Sequence, residues 1–302
     1  MIPSSSDEHV SHPVGQDILR AAVGQAESRL DGRLAAAFAI GSLAHGGFVP
    51  SVSDVDLALV VDRADEAVAS TIDMVRRDTV RQYAGSAHHA LAGRLSVFWS
   101  DWEHLAHGTE AGRFPATDRL DLLDSGVLLH GTDRRAHCAR PTTTDLVLDS
   151  ATFAATKFGD PAYLRMLNAP AALAGQGARA VTKAVLFPVR LLYTAATGQL
   201  ARNNDAARWY TATPNVSSTL VTSAARWRAN GLDDPAAAEL LERELLPLYR
   251  HCADRLDRTT AGLGHQDLAT RLARLHAALT PDTDRTPPSS EDPAPTTTRP
   301  NP

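Results

Sequence analysis

The sequence predicts an α/β N-terminal domain, in which helices flank a small mixed sheet, followed by an all-α C-terminal helical-bundle domain. Helical and strand patterns alternate up to Arg140-Pro141, whereas the apolar spacing from Thr143 onward is helical. The tail contains seven prolines among small polar residues, a composition that buries little apolar surface. The predicted segments are a disordered N-terminus over residues 1–13, the α/β domain over 14–140, the helical domain over 141–280 and a disordered tail over 281–302.

The α/β part is predicted from apolar residues that recur at helical spacing in some segments and form short runs in others. The first segment, with Val14, Ile18 and Leu30 among its apolar positions, is a helix that packs on the sheet. The short runs have the length of buried strands, and the last of them stops at Gly131. The predicted elements are helices over residues 14–30 and 65–83, strands over 34–40, 54–61 and 94–100, and an edge strand over 127–130.

The C-terminal part is predicted to contain only helices. Gly198 stands just past a long apolar-periodic segment, and glycine is common at the position that follows a helix. Pro235 begins another such segment, and proline is favoured as a first helical residue. The predicted helices cover residues 145–158, 178–196, 205–210, 219–230, 235–255 and 266–279.

The composition is that of a globular protein without a strong charge field. Hydrophobic residues make up 43% and charged residues 22% of the 302-residue chain. The net charge of -5 disfavours nucleic acid as a partner. Cys138 and Cys252 are the only cysteines, and neither has a metal-ligand spacing. Because signal-like and membrane-spanning apolar stretches are absent from the sequence, we expect a cytoplasmic location and no membrane partner.

The chemistry of the chain is predicted at residues 38–61. Asp54 and Asp56 are two positions apart on a strand, so both side chains leave the same face. Paired carboxylates repel each other unless a cation lies between them, and Mg²⁺ is commonly held by one or two carboxylates plus substrate phosphates. Gly41 allows a sharp turn, and Ser42 begins a helix whose amides and hydroxyl are suited to phosphate. The stretch therefore predicts a metal site beside a phosphate site.

This stretch resembles the signature of the DNA-polymerase-β-type nucleotidyltransferase superfamily. The matching features are Gly41-Ser42, an eleven-residue spacer, and Asp54-Val-Asp56 with apolar flanks. The resemblance implies that Asp54 and Asp56 hold Mg²⁺ and act in catalysis. It also implies that Gly41 and Ser42 bind the nucleoside triphosphate, with ATP as the expected substrate.

A second stretch is similar to the helical domain of aminoglycoside adenylyltransferases of the streptomycin/spectinomycin type. That family implies two domains, with ATP and the acceptor bound in the cleft between them. Within the stretch, Arg190 matches the family arginine that contacts the ATP phosphates. The matching residues are Arg190, Tyr193, Thr197, Gly198, Ala207 and Trp209.

Basic residues on the long helix agree in part with this resemblance. Arg179, Lys183 and Arg190 are four and eleven positions apart, so they share one side of the helix. Facing the aspartates, such a row would hold a triphosphate tail. A solvated charged face is the alternative. Further along, Arg226-Trp227-Arg228 either stacks on an adenine or acceptor ring or packs between helices.

The sequence departs from the family at its third carboxylate, which acts there as general base on the acceptor hydroxyl. The corresponding position is Ser96, and a hydroxyl is not a base at neutral pH. Asp101 follows the same strand and is our candidate replacement, with capping of the next helix as the alternative. His88 and His89 precede the strand and titrate in a useful range.

Two further departures concern the ligands. The family lysine that follows Thr-Gly and binds phosphate falls on Asn203, and the adjacent Arg202 is our candidate nucleotide-binding substitute. Residues 170–183 enter the long helix without any acid and with two bases. Aminoglycoside enzymes carry carboxylates in this segment, so we expect an acceptor other than a polycationic aminoglycoside.

Together these features predict a Mg²⁺-dependent nucleotidyltransferase that transfers a nucleoside monophosphate, AMP from MgATP in the first instance, to a hydroxyl of a small molecule. Two other functions stay open. The losses at Ser96 and Asn203 fit a catalytically impaired protein that binds a nucleotide, another ligand or a partner. A toxin-like enzyme that nucleotidylates a protein or tRNA would use the same metal site, although the negative net charge weighs against tRNA.

Overall fold

The computed structural model of the chain describes residues 12–280, so the expectations for residues 1–11 and 281–302 lie outside the described residues. Four strands form one sheet in the described part of the chain. Their bounds are β1 (Leu34–Ile40), β2 (Val55–Val61), β3 (Leu95–Asp101) and β4 (Val127–Gly131). All four lie where the apolar runs predict them.

The sheet is mixed, as predicted, with the strand order β3-β2-β1-β4. Strand β1 lies antiparallel to β2 and β4, whereas β2 and β3 run parallel. The pairing register places Asp56 between Ile40 of β1 and Ser96 of β3. Asp56 thus stands in the middle of the sheet, at the end where β1 stops and β2 begins.

Helices cover both faces of the sheet. On one face, α1 (Pro13–Leu30) and α3 (Glu66–Gln82) bury their apolar sides against the strands. On the other face, Phe38 and Phe98 pack with apolar side chains of α5 (Trp102–His107) and α6 (Ala116–Ser125). Two one-turn helices, α2 (Ser42–His45) and α4 (His89–Ala92), precede β2 and β3.

From residue 143 onward the described chain is helical apart from the connecting turns, as predicted, and it contains two short helices, Pro161–Leu167 and Pro170–Gly175, that the sequence did not predict. The predicted helix over residues 145–158 is an α-helix that continues as a π-helical turn, Ala154–Phe158. The predicted helix over 235–255 begins at Ala237 and runs seven residues further, to Gly262. The α-helices are α7 (Thr143–Phe153), α8 (Pro161–Leu167), α9 (Pro170–Gly175), α10 (Ala178–Thr197), α11 (Asn203–Thr211), α12 (Ser218–Asn230), α13 (Ala237–Gly262) and α14 (Gln266–Ala278).

A polar contact between α10 and α13 fixes the helix that carries the predicted cationic row. Pro188 lies inside α10, and proline leaves the carbonyl four residues earlier without its helical donor. That carbonyl belongs to Ala184, and the buried Tyr249 hydroxyl of α13 donates to it over 2.8 Å. The proline is therefore accommodated without an unsatisfied carbonyl, and α10 is held against α13.

The sheet and the helical region have separate apolar cores, joined at α6 and α7. Leu120 packs against Leu146, and Asp149 Oδ2 accepts hydrogen bonds from the Thr117 amide (2.9 Å) and hydroxyl (2.7 Å). The domain boundary near residue 140 stays a prediction. Among the helices of residues 12–280, none is both long and apolar enough to cross a membrane.

Candidate active site

A cleft of about 710 Å³, including its open mouth, lies between the sheet and the helical region. Acidic residues from the sheet side and basic residues from the helical side face each other across it. Seven residues predicted from the sequence line the cleft: Gly41, Ser42, Asp54, Asp56, Lys183, Arg190 and Arg202. The fold thus brings together residues that are separated by more than 100 positions in the chain.

Gly41 forms the sharp turn between β1 and α2. Its φ of 69° lies in the left-handed region, and a side chain there would collide with Asp56 Oδ2. Glycine is therefore required for two reasons, the backbone conformation and the close approach of the carboxylate. The turn places Ser42 at the start of α2, next to the aspartates.

Asp56 carries a carboxyl group whose pKa is raised to about 7. Burial is the largest cause, and the negative charges of Asp54 and Asp121 add to it, whereas Arg190 and Lys183 act in the opposite direction. No hydrogen bond to this carboxyl group is formed within residues 12–280. A cation placed beside Asp56 would therefore meet a carboxyl group that has no partner among these residues, and it would lower the pKa of this group.

Asp54 differs from Asp56 because two cations already bind it. Lys183 Nζ lies 2.9 Å from Asp54 Oδ2, and the Arg179 guanidinium pairs with Oδ1. Burial acts to raise the pKa of Asp54, but Lys183 and Arg179 outweigh it and hold this pKa below its usual range. The pKa of Asp54 is thus lowered, whereas the pKa of Asp56, two residues away, is raised.

Three arginines complete the basic wall of the cleft. Arg190 Nε donates to the Ala201 carbonyl over 2.8 Å, which orients the guanidinium, and Arg202 follows on the same loop. Arg228 was assigned from the sequence only to ring stacking or helix packing. Its Nη2 instead reaches across the cleft to Ser53 Oγ (3.0 Å) and the Gly47 carbonyl (3.2 Å). Its neighbour Trp227 is buried in the helical core.

Asp121 of α6 is a residue of the cleft that sequence reasoning missed. The Gly41 amide donates to Asp121 Oδ2 over 2.6 Å, across a separation of 80 residues. Asp121 Oδ1 is buried and has no hydrogen-bond partner in the described part of the chain. Burial raises the pKa of Asp121, although His45 and the Gly41 amide oppose the shift. The Gly41 amide is therefore already engaged, and Ser42 and the arginines remain as donors to an anion.

Asp101 does not reach this cleft, so the structure gives no support to it as a catalytic residue. It pairs with Val61 at the far end of β3, five residues beyond Ser96 and thus roughly 16 Å along the strand from Asp56. Its carboxylate accepts hydrogen bonds from the amides of His104 and Ala64, both over 2.8 Å, and caps α5. The capping alternative is correct. Ser96 lies directly beside Asp56, where the resemblance places a carboxylate.

The donor atoms at Asp54 and Asp56 suit Mg²⁺. The described residues contain no cluster of three or more side chains that could hold a metal ion. Mg²⁺ is usually held by one or two carboxylates together with substrate phosphates. The unpaired, half-buried carboxyl group of Asp56 fits a cation. Asp54 can bind the same cation once Lys183 or Arg179 releases one of its oxygens.

Comparison with known proteins gives a match among solved structures. Neither a family model nor a curated protein matches the sequence. Among solved structures, the chain is similar to the spectinomycin adenyltransferase AAD(9) from Enterococcus faecialis, determined with ATP and spectinomycin. The sequence identity is 13%, the TM-score is 0.53, and the match covers 80% of this chain and 98% of that chain. The chain therefore shares the overall fold of that structure, which agrees with the expected mixed sheet flanked by helices and followed by a helical region.

Proposed function

We propose that the chain is a Mg²⁺-dependent nucleotidyltransferase that transfers AMP from ATP to a hydroxyl group of a small molecule. The observation that carries this proposal is the cleft itself, in which an unpaired, half-buried carboxyl group at Asp56 faces a wall of cations. The neighbour of known structure was determined with ATP and a small-molecule ligand, which agrees with such substrates.

Each wall of the cleft has a separate role in this proposal. Lys183, Arg190, Arg202 and Arg228 bind the triphosphate and neutralise the charge that grows on the leaving pyrophosphate. Asp54 and Asp56 would hold Mg²⁺, which supplies Lewis-acid activation of the phosphoryl group when it is bound. The Gly41 turn and Ser42 fix the position of the phosphates against the sheet.

The proposal is tested by incubating the protein with MgATP and a panel of hydroxyl compounds. We expect pyrophosphate release that depends on the acceptor, together with an acceptor that gains one AMP by mass. ATP binding without any turnover would contradict transfer. Absence of binding at millimolar MgATP would contradict any function that uses ATP.

A nucleotide-binding protein with impaired transfer is the second candidate function. Two observations favour it. Ser96 lies beside Asp56, at the position where a general base is needed. Lys183 and Arg179 form ion pairs with Asp54, one of the two expected metal ligands. A missing base lowers the rate by about 10²–10⁴-fold and leaves binding intact. Calorimetric binding of MgATP with no product after long incubation would favour this second function.

Arg228 provides a direct test of the basic wall. We expect Arg228→Met to weaken MgATP binding by about tenfold, since a charge-assisted hydrogen bond to a phosphate is worth roughly 1.5–3 kcal/mol. Calorimetric titration measures the change. Arg226→Met is the matched control, because Arg226 lies on the same helix but pairs with Asp234 and does not line the cleft. Equal affinities in the two variants would contradict the role of Arg228.

A further inference from the structure

A second pocket adjoins the cleft of the candidate active site, which is called the nucleotide cleft from here on. Its volume is about 600 Å³, open mouth included, and Lys183 and Phe187 line both spaces. A ligand in the second pocket would therefore lie next to Asp54 and to the triphosphate.

Four aromatic side chains, Phe153, Phe158, Tyr163 and Phe187, contribute to the pocket wall. Phe153 stacks on Phe187 with ring centroids 4.7 Å apart, and Phe158 stacks on Tyr163 with centroids 5.5 Å apart. The exposed fraction of Phe153 is 38%, a high value for a phenylalanine. Such a surface favours a ligand with a flat aromatic or fused-ring body, because rings gain most from offset stacking and edge contacts.

The charged side chains of the pocket are all cations. Lys157, Arg179 and Lys183 line it, and its lining contains no carboxylate. Asp54 offsets only part of this charge, since it is shared between Arg179 and Lys183. Arg179 Nε is buried and has no acceptor within residues 12–280. The pocket thus complements a negatively charged group and repels a polycation.

We propose that this pocket binds the acceptor, and that the acceptor is a hydroxyl-bearing aromatic or fused-ring compound with a negatively charged group. This inference rests on the proposed nucleotidyltransferase function and specifies its substrate class. In the reaction, the acceptor oxygen forms a bond to the α-phosphorus of ATP. The bond between this phosphorus and the oxygen that bridges it to the β-phosphorus breaks. Pyrophosphate leaves with the electron pair, and the hydroxyl proton passes to solvent.

Two compounds with the same ring and hydroxyl but opposite charge test the proposal. The anion 6-hydroxy-2-naphthoate and the cation 6-amidino-2-naphthol are titrated into the full chain, and binding is followed by calorimetry. We expect the anion to bind at least about tenfold more tightly, since juxtaposed like charges cost several kcal/mol. Excess MgATP should leave this binding in place, and the anion should then become nucleotidylated on its hydroxyl.

Charge reversal at Lys157 tests whether the anion binds in this pocket. This lysine is exposed and lies 5.4 Å from the Tyr163 ring centroid, and it does not line the nucleotide cleft. We expect Lys157→Glu to weaken anion binding by about fivefold or more without changing MgATP affinity. Arg165→Glu is the matched control, because Arg165 is an exposed cation on α8 outside the pocket.

The outcomes separate failure of this inference from failure of the proposed function. Equal or tighter binding of the cation, or equal effects of the two charge reversals, would overturn the inference. Competition between the anion and MgATP would also overturn it, since the pocket would then hold the nucleobase. Selective anion binding with no pyrophosphate release from any acceptor would support the ligand class and count against the proposed transfer activity.

Discussion

Asp56→Asn is expected to lower the rate of nucleotidyl transfer by about a thousandfold or more. Removal of a single preorganised charge-stabilising group from an active site typically costs about 10²–10³-fold, and here the substitution also removes a metal ligand. Asp56 has the stronger claim of the two aspartates because its carboxyl group makes no hydrogen bond within residues 12–280. Pyrophosphate release in the presence of a working acceptor measures the effect.

Asp101→Asn is the matched control for this experiment. It makes the same chemical change at the far end of β3, where the carboxylate caps α5. We expect transfer to be retained and stability to fall by roughly 1–3 kcal/mol, because asparagine can still cap α5 through its oxygen but its amide nitrogen cannot accept the hydrogen bond that the Ala64 amide donates to Asp101 Oδ2. An equal loss of activity in both variants would contradict the assignment of Asp56 and would restore Asp101 as a candidate base.

The stability of the Asp56→Asn variant shows whether its inactivity reflects unfolding. The pKa of Asp56 is raised to about 7 in the folded protein from a reference value of 3.8, so the folded state binds the proton more tightly. The contribution of this group to the free energy of unfolding is fully present below the reference pKa of 3.8. It is lost as the pH rises to the folded-state pKa of about 7. Asparagine does not deprotonate, so the stability of the variant relative to wild type should rise from about pH 4 to about pH 7 and stay constant above that. If the Asp56→Asn variant is inactive but has a higher free energy of unfolding than wild type near pH 7, unfolding does not explain its loss of activity.

Ser96→Glu is expected to raise the rate of transfer by one to two orders of magnitude. General base catalysis contributes typically 10²–10⁴-fold, and an engineered base recovers part of that range. The pairing register places residue 96 directly beside Asp56, on the parallel strand β3. A carboxylate at this position would accept the proton of an acceptor hydroxyl that approaches from the second pocket. Single-turnover kinetics with MgATP and an acceptor measures the gain.

Ser96→Gln separates the effect of the base from the effect of a larger side chain. Glutamine has nearly the shape of glutamate but does not accept a proton at neutral pH. We expect it to match the wild-type rate within a few-fold. Equal rates in the Glu and Gln variants would show that the step does not depend on a base at residue 96.

Local patterns in the sequence were sufficient to predict the sheet and seven of the residues that line the cleft. The strands carry short apolar runs, and the pair Asp54 and Asp56 follows the alternation of β2, so these positions are visible without a tertiary structure. Lys183 and Arg190 share one side of a helix, and both line the cleft as the helical spacing predicts.

Long-range contacts account for what the sequence did not reveal. Asp121 meets Gly41 across 80 residues, and Arg228 meets Ser53 across 175, and no local pattern encodes either contact. The ion pairs of Asp54 with Arg179 and Lys183 form for the same reason only when α10 packs over the sheet. Helix ends were missed where polar residues continue a helix, as at the end of α13.

The central claim is that Asp54 and Asp56 hold a divalent ion together with the nucleotide phosphates. Its most direct test is the anomalous signal of Mn²⁺ in crystals grown with Mn²⁺ and a non-hydrolysable ATP analogue. The account predicts a peak about 2.2 Å from oxygens of both aspartates and of the α-phosphate, with Lys183 moved from Asp54 onto the phosphates. A bound nucleotide without such a peak, with Arg179 and Lys183 still paired to Asp54, would contradict it.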